Sequence, residues 1–505
     1  MKNGLWVAAF PSIDFIRRRG KIPPPFGLIL PEMLEFTMPE NLRRSSFRVT
    51  LPVARSDAFV WHQRPGALDR LLPPWEKIQV LKRAINIEVG TQVEFSTRLG
   101  PFPVRWLAEH TACAPPDYFE DVQLHGPFKH WRHQHRFIEQ SANTSTLEDH
   151  LEYSLPGGRL GELLGGHAVD EKIERMFAYR HAVTRADLTS HALYRDRPRL
   201  SVAITGASGM VGSALTAFLT TGGHAVTAIS RANRKPVLTN RVIWNPGFNH
   251  ELDKTAESLD AVIHLAGENI ATRRWNAKQK NKIRESRIYR TRKLCESLAS
   301  LSNPPSVLLS ASAVGYYGES DLEDAEEGAS KGEGFLADLA AEWEAACQPA
   351  IDAGIRVVHL RFGMVLSPRS GALAAMLPLF RYSLGGKIGS GQQYWSWISL
   401  EDAIGAMHHA LMESEIQGPL NVVAPASLTN NDFTNQLANT LKRWTPLPVP
   451  RSVARISLGE MADALLLSSM RVCPRRLLES GYKFRHVCLE DALRHMLGRE
   501  QVTRN

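Results

Sequence analysis

The chain has 505 residues, too many for one ordinary hydrophobic core, so two or three domains are expected. With 43% hydrophobic and 22% charged residues, its composition is neither disordered nor fibrous. The net charge of +8 is scattered without a Lys/Arg block or interleaved aromatics, so no nucleic-acid partner is expected, and no apolar run reaches membrane-spanning length.

Residues 1–40 are Pro-rich and poorly periodic and read as a loose extension. From about Ser45 to Ser154, segments such as SSFRVTLPV, YFEDVQLHGPF, WRHQHRFIEQ and STLEDHLEYSLP alternate apolar and polar residues between Gly and Pro. That period predicts an antiparallel sheet. Helical patterns stand at SDAFVWHQRPGALDRLLP and at the long amphipathic GRLGELLGGHAVDEKIERMFAYRHAVTRADL. A sheet gripping that helix gives an α+β helix-grip domain over residues 41–192. Within it crowd His125, His130, His133 and His135. His133 and His135 share one strand face, a spacing metal sites use, but no carboxylate or third ligand stands in clear register. No metal is expected, and these histidines are expected to line or cover a cavity.

At HALYRDRPRLS, residues 191–201, the chain turns charged and then directly apolar, which marks a domain boundary. Beyond it SVAIT, AVTAIS, RVIWN, DAVIHLAG, PSVLLSAS and IRVVHLRFG alternate with helical segments. This order predicts an α/β Rossmann fold, a doubly wound parallel sheet, over residues 200–445. A Pro-rich link and amphipathic segments then predict a small helical domain over 446–500. Cys113, Cys295, Cys347, Cys473 and Cys488 are odd in number and lack CxxC spacing, so the chain is expected in a reducing cytoplasm.

In SVAITGASGMVG, Gly206, Gly209 and Gly212 lie between a predicted strand and helix, with Ala207, Ser208, Met210 and Val211 completing the loop. Glycines there permit a tight turn and close approach of a pyrophosphate to the helix N-terminus. At the end of the second strand an acid would accept the ribose hydroxyls of NAD. Ser230 and Arg231 stand there instead, followed by Arg234 and Lys235, so NADP is favoured over NAD, the alternative being a surface Arg231. Leu265, Ala266 and Gly267, in HLAGENI, close the fourth strand where small residues suit a ligand crevice.

TGASGMVG, HLAGENI, LLSASAVGYYG, FLADLAAEWE, LRFGMVLSPRSGAL, GSGQQYWSWISLEDA and GPLNVVAPASLTNNDF, in this order, resemble the atypical extended short-chain dehydrogenases of the NAD(P)-dependent epimerase family. The likeness runs from about Ser201 to Gly498, and RVCPRRLLESGYKFRHVCLEDALRHML looks like that family's small C-terminal domain. PGALDRLLPPWE, GPFKHWRHQHRF and YSLPGG resemble the START/polyketide-cyclase (SRPBCC) superfamily, which implies an apolar pocket for a lipid-like or aromatic molecule.

Ordinary relatives carry a Tyr-x-x-x-Lys pair where GEGFLADLAAEWE stands, and here neither register supplies one: Gly334 faces Asp338, and Phe335 faces Leu339. Ser312 resembles the family serine that binds substrate oxygen, with Ser310 a rival by register. Tyr316 and Tyr317 lie close enough to supply the missing phenol, although a packing role fits at least one of them. Lys331 is the nearest candidate cation. Arg361 and the Trp395–Trp397 segment look like ligand-side elements, as do Arg274 and Trp275, against a reading as core or loop residues. The resemblance implies an NADP-dependent oxidoreductase or epimerase acting on a small molecule. A nucleotide-binding sensor without turnover is the alternative, and a lipid carrier is a third.

Overall fold

The computed structural model describes residues 41–84, 86–99, 102–230, 241–244, 252 and 254–500. Alternation in the first part of the chain resolves into seven strands: β1 (Arg43–Leu51), β2 (Gln79–Lys82), β3 (Gln92–Leu99), β4 (Phe102–Ala114), β5 (Tyr118–His125), β6 (His130–Ser141) and β7 (Thr144–Ser154). They form one antiparallel sheet in the order β1-β7-β6-β5-β4-β3-β2. Along β6 the period of two turns Trp131, His133, His135 and Phe137 inward. β2 escapes sequence reading because it is mostly exposed and so lacks an alternating pattern.

The first helical pattern folds as two helices, α1 (Arg55–Gln63) and α2 (Ala67–Leu71). Pro65 has no N–H to continue the first, and Gly66 turns at φ +96, a conformation open to glycine. The amphipathic segment becomes α3 (Gly158–Ala192), a single 35-residue helix. Its Ile173 and Phe177 pack on Trp131, Leu151 and Tyr153 of the sheet, so helix and sheet bury each other's apolar face. This is a helix-grip-like arrangement.

The second sheet begins with β8 (Ser201–Thr205), β9 (Ala225–Ser230), β10 (Arg241–Ile243), β11 (Ala261–His264) and β12 (Val307–Ala313). Strands Arg356–Phe362 and Gly418–Val422 complete it, in the order β10-β9-β8-β11-β12 and then these two, all parallel. Val202, Ile204, Val262, Ile263, Leu308 and Leu309 are fully buried, the continuous apolar signature of a parallel sheet covered on both faces. Six of these strands coincide with the apolar segments expected from the sequence. The seventh opens with Gly418-Pro419, and a proline is tolerated there because the strand lies at the sheet edge.

The two sheets meet through α4 (Met210–Thr221), the helix that follows β8. A side chain at Gly66 would stand 2.6 Å from the Ala217 carbonyl oxygen, and Arg64 Nη1 donates to the Thr221 carbonyl at 2.8 Å. Arg70, 4% exposed, donates to Asp187 Oδ2 at 2.7 Å and to Glu401 Oε1 at 3.1 Å. Arg485 reaches the same two carboxylates at 2.9 and 3.0 Å. Two guanidiniums and two carboxylates thus neutralise one another inside the junction. No described helix is long and apolar enough to cross a membrane.

Candidate functional site

In the second sheet the strand order reverses at β8, whose neighbours are β9 and β11. Connections leave in opposite directions there and open a crevice at the carboxyl ends of the strands. Gly206 leaves β8 at φ +72, and a Cβ on it would lie 3.0 Å from Ala266 N. A Cβ on Gly212 would lie 2.2 Å from the Gly206 carbonyl oxygen. The glycine loop and the Leu265–Gly267 segment are therefore interlocked, backbone against backbone. Gly209 precedes α4, and the first N–H groups of that helix have no intrahelical partners. This is a cradle for an anion.

Beneath the cradle runs a line of buried polar groups. Thr205 Oγ1 accepts from Leu265 N at 3.1 Å and Ala266 N at 3.2 Å, and bonds His264 Nδ1 at 2.7 Å. His264 Nε2 bonds Thr291 Oγ1 at 3.0 Å, and Trp343 Nε1 donates to that same hydroxyl at 2.9 Å. Burial depresses the His264 pKa to about 4, which keeps its imidazole neutral. Arg287 closes the rim: Nη1 donates to the Glu268 carbonyl at 2.8 Å, and burial lowers this guanidinium to about 10. Ser230 ends β9 with its carbonyl accepting from Trp244 N at 3.1 Å. Arg231, Arg234 and Lys235 lie outside the described residues.

At the end of β12, Ser312 Oγ donates to Glu344 Oε1 at 2.7 Å. Glu344 comes from α5 (Phe335–Ala345). Arg361 holds the same carboxylate with two donors, Nε to Oε1 and Nη2 to Oε2, both at 2.8 Å. Burial opposes the charge on Arg361, but Glu344 outweighs it and raises the guanidinium pKa. Its guanidinium carbon stands 3.6 Å from the ring centre of Tyr316, and its Nη1 donates to the Tyr317 hydroxyl at 2.8 Å. Tyr317 is 5% exposed and its hydroxyl donates to Asn421 Oδ1 at 2.7 Å. Burial raises that phenol. Tyr316 is half-buried. Ser312, Tyr316, Tyr317 and Arg361 thus converge, whereas Ser310 points into the core beside Cys347.

Other sequence candidates lie elsewhere. Lys331 Nζ pairs with Asp338 at 2.5 Å on the surface. Trp395 and Trp397 are buried with Phe433 and Leu489 in the C-terminal core, their indoles donating to the carbonyls of Leu466 and Ala426. Arg274 donates to the Ser457 carbonyl at 2.9 Å, and Trp275 to that of Ile270 at 2.8 Å, so both brace a loop. Sequence reading missed Glu344, Asn421 and Arg287. Glu344 stands five residues past Leu339, beyond the vacant Tyr-x-x-x-Lys register.

In the first sheet, strand pairing sets Asp121 opposite His133, and Asp149 opposite His135. His133 is drawn up to about 9: burial opposes its charge, and Asp121 and Asp149 outweigh it. Asp149 lies well below the usual carboxylate range, because His135, His133 and His181 outweigh the opposing effect of burial. His125 is exposed and His130 half-buried, so neither joins them.

A model of the NAD dependent epimerase/dehydratase family matches residues 202–423, and one for a domain of unknown function, DUF1731, matches 449–496. Epimerase family protein Mb2239 of Mycobacterium bovis is 42% identical over 292 residues, 58% of this chain and 96% of that protein. The structure of human epimerase family protein SDR39U1, solved with NADPH, is 35% identical with a TM-score of 0.55, covering 59% of this chain and 99% of that one. A nucleoside-diphosphate sugar epimerase from Corynebacterium glutamicum is 32% identical with a TM-score of 0.75 over 91% of each chain, a span that takes in the antiparallel sheet as well. The chain belongs to the epimerase family, in the branch that carries the DUF1731 domain.

Proposed function

We propose that this chain is an NADP(H)-binding oxidoreductase or epimerase whose substrate is unidentified. The observation that carries this reading is the interlocked glycine cradle at the strand-order reversal, where a Cβ on Gly206 or Gly212 would fill the space. Residues 206–212 would hold the pyrophosphate, Leu265, Ala266 and Gly267 the adenosine side, and Ser230 with Arg231 the ribose and its 2′-phosphate. Bound there, the nicotinamide supplies a hydride donor or acceptor. The NADPH in the human relative's structure supports the choice of cofactor.

Ser312 and Tyr316 are the groups assigned to substrate. Because the Ser312 hydroxyl donates to Glu344, its oxygen is left to accept a hydrogen bond from a substrate hydroxyl. Tyr316 offers a phenol beside the Arg361 guanidinium. Tyr317 is a positioning residue, since both roles of its hydroxyl are taken by Arg361 and Asn421. Arg361 then works from behind, orienting Glu344 and both rings.

Residues 41–192, 200–445 and 446–500 are assigned as separate functional units. The end of α3 at Ala192 and the start of β8 at Ser201 support the first boundary. The first unit is assigned to a START/SRPBCC-like role in capturing an apolar ligand, supported by half-buried Trp106 and Phe128 beside Trp131 on the face that α3 covers. A cytoplasmic compartment fits the five cysteines, all free.

The deciding experiment is calorimetric titration with NADPH and NADH of wild type and Arg231→Ala. NADPH is expected to bind more tightly, and the substitution to weaken it by about 1–3 kcal/mol, the range for a charged hydrogen bond. Equal affinity for both nucleotides would remove the 2′-phosphate from the argument, and no binding would end the reading. A second reading, a redox sensor without turnover, is favoured by Lys331 being engaged at the surface with Asp338. NADPH binding with no oxidation across nucleoside-diphosphate sugars and simple carbonyls would select it.

A further inference from the structure

The histidines of the antiparallel sheet sit in a constellation that the nucleotide site does not use. Asp121 on β5 and His133 on β6 are direct cross-strand partners, and His135 lies two residues along the same face. Asp121 Oδ2 stands 3.3 Å from His133 Nδ1 and 3.8 Å from His135 Nε2. One donor atom from each of the three residues lies within 4.8 Å of the others. Two ligands held at about 2.0–2.1 Å by one tetrahedral ion are roughly 3.3–3.4 Å apart, so the spacing needs only small side-chain adjustment to meet on a common centre.

The opposite edges of both imidazoles face one carboxylate. His133 Nε2 donates to Asp149 Oδ1 at 3.0 Å, and His135 Nδ1 lies 2.7 Å from that same oxygen. A carboxylate only accepts, so Asp149 keeps the proton on the far nitrogens and turns His133 Nδ1 and His135 Nε2 towards Asp121, where an ion would displace the second proton of His133. His181 from α3 donates to the other oxygen, Asp149 Oδ2, at 2.6 Å and fixes the carboxylate in turn. A carboxylate behind a histidine is the usual support of a metal-ligating imidazole. Phe119 stacks on His135 with ring centres 4.0 Å apart, and Phe177 packs edge-on to His133 at 5.2 Å. Access remains from one side, because the Asp121 side chain is 20% exposed while that of His133 is 4% exposed.

We propose that Asp121, His133 and His135 bind one divalent first-row transition ion, of the zinc type, with Asp149 and His181 as its supporting shell. Two imidazole nitrogens and one carboxylate oxygen suit such an ion rather than calcium or magnesium, which take oxygen ligands. Three protein donors leave a position open towards the Asp121 side for water or a small ligand.

The test is titration of tag-free, chelator-treated full-length protein with ZnCl2 and, separately, CoCl2, read by competition with a chromophoric chelator and by the visible spectrum of the cobalt adduct. One equivalent is expected, with cobalt bands of a four- or five-coordinate nitrogen and oxygen site and no thiolate charge transfer. Asp121→Asn and His133→Gln should abolish this equivalent, and Asp149→Asn should weaken it by about 10–100-fold, the range for an outer-shell partner. The double variant His125→Gln/His130→Gln should leave it intact, since those residues lie outside the cluster. Wild-type protein that takes up neither ion at micromolar concentration overturns the proposal whatever the variants do. Loss of binding in the His125/His130 variant, or a thiolate band, would also overturn it by placing the ion elsewhere.

Discussion

Both sheets bury histidine, one neutral and the other cationic. His264, at the end of β11, lies between the hydroxyls of Thr205 and Thr291 and is depressed to about 4, so it is neutral. His133, in the middle of β6, lies between the carboxylates of Asp121 and Asp149 and is raised to about 9. Burial is nearly equal, at 1% and 3% exposure, so the partners decide. A hydroxyl relay keeps the end of β11 free of charge, whereas the carboxylates hold the His133 imidazole charged.

The sharpest way to break this contrast is Asp149→Ala, studied in chelator. Three imidazoles lose their shared carboxylate, and breaking a buried charged arrangement of this kind should cost about 3–5 kcal/mol, measured by urea unfolding. An effect under 1 kcal/mol would mean that the histidines are solvated after all.

Acid sharpens the comparison from the other side. His264 takes up a proton in the unfolded chain near pH 6.5 but in the folded one only near pH 4, so the unfolded state binds more protons between these limits. Stability therefore falls as pH drops from about 6.5 to 4 and levels off below, by about 3 kcal/mol for this residue at 1.36 kcal/mol per pKa unit. His264→Asn should flatten the slope in that window; an unchanged slope would assign it to other groups.

Smaller still is Thr291→Val, which leaves the Trp343 indole and a His264 nitrogen without their shared partner. About 1–3 kcal/mol should be lost, with the His264 titration moved but not reversed, as read by NMR of its ring protons. Least of all, Lys331→Ala should leave the unfolding midpoint unchanged, because its pair with Asp338 is exposed to solvent.

Much of the parallel sheet was legible because its signals are local. TGASGMVG joins one strand to the next helix, and its glycines meet a steric demand set within seven residues and by the neighbouring strand end. Ser312, Tyr316, Tyr317 and Arg361 could be named from the family resemblance and their place at strand ends, and the structure brings them within one network. Their shared partner Glu344 could not, since its link to Ser312 spans 32 residues and depends on how α5 lies against the sheet. The aromatic pair Trp395 and Trp397 illustrates the reverse case. Beside a crevice motif they read equally as ligand-side or as core, and their indoles cap backbone carbonyls inside the C-terminal core.

By itself the sequence determined the two kinds of sheet, the long gripping helix and the glycine cradle, because period and turn chemistry act over neighbouring residues. Only the tertiary structure decided which charges meet. His133 and His135 carry no sign in β6 of the Asp121 and Asp149 that flank them, because cross-strand register is set by the pairing of β5, β6 and β7 as a whole. The Arg70, Asp187, Glu401 and Arg485 junction likewise draws residues from four distant segments, and burial makes their pairing obligatory where the two sheets meet.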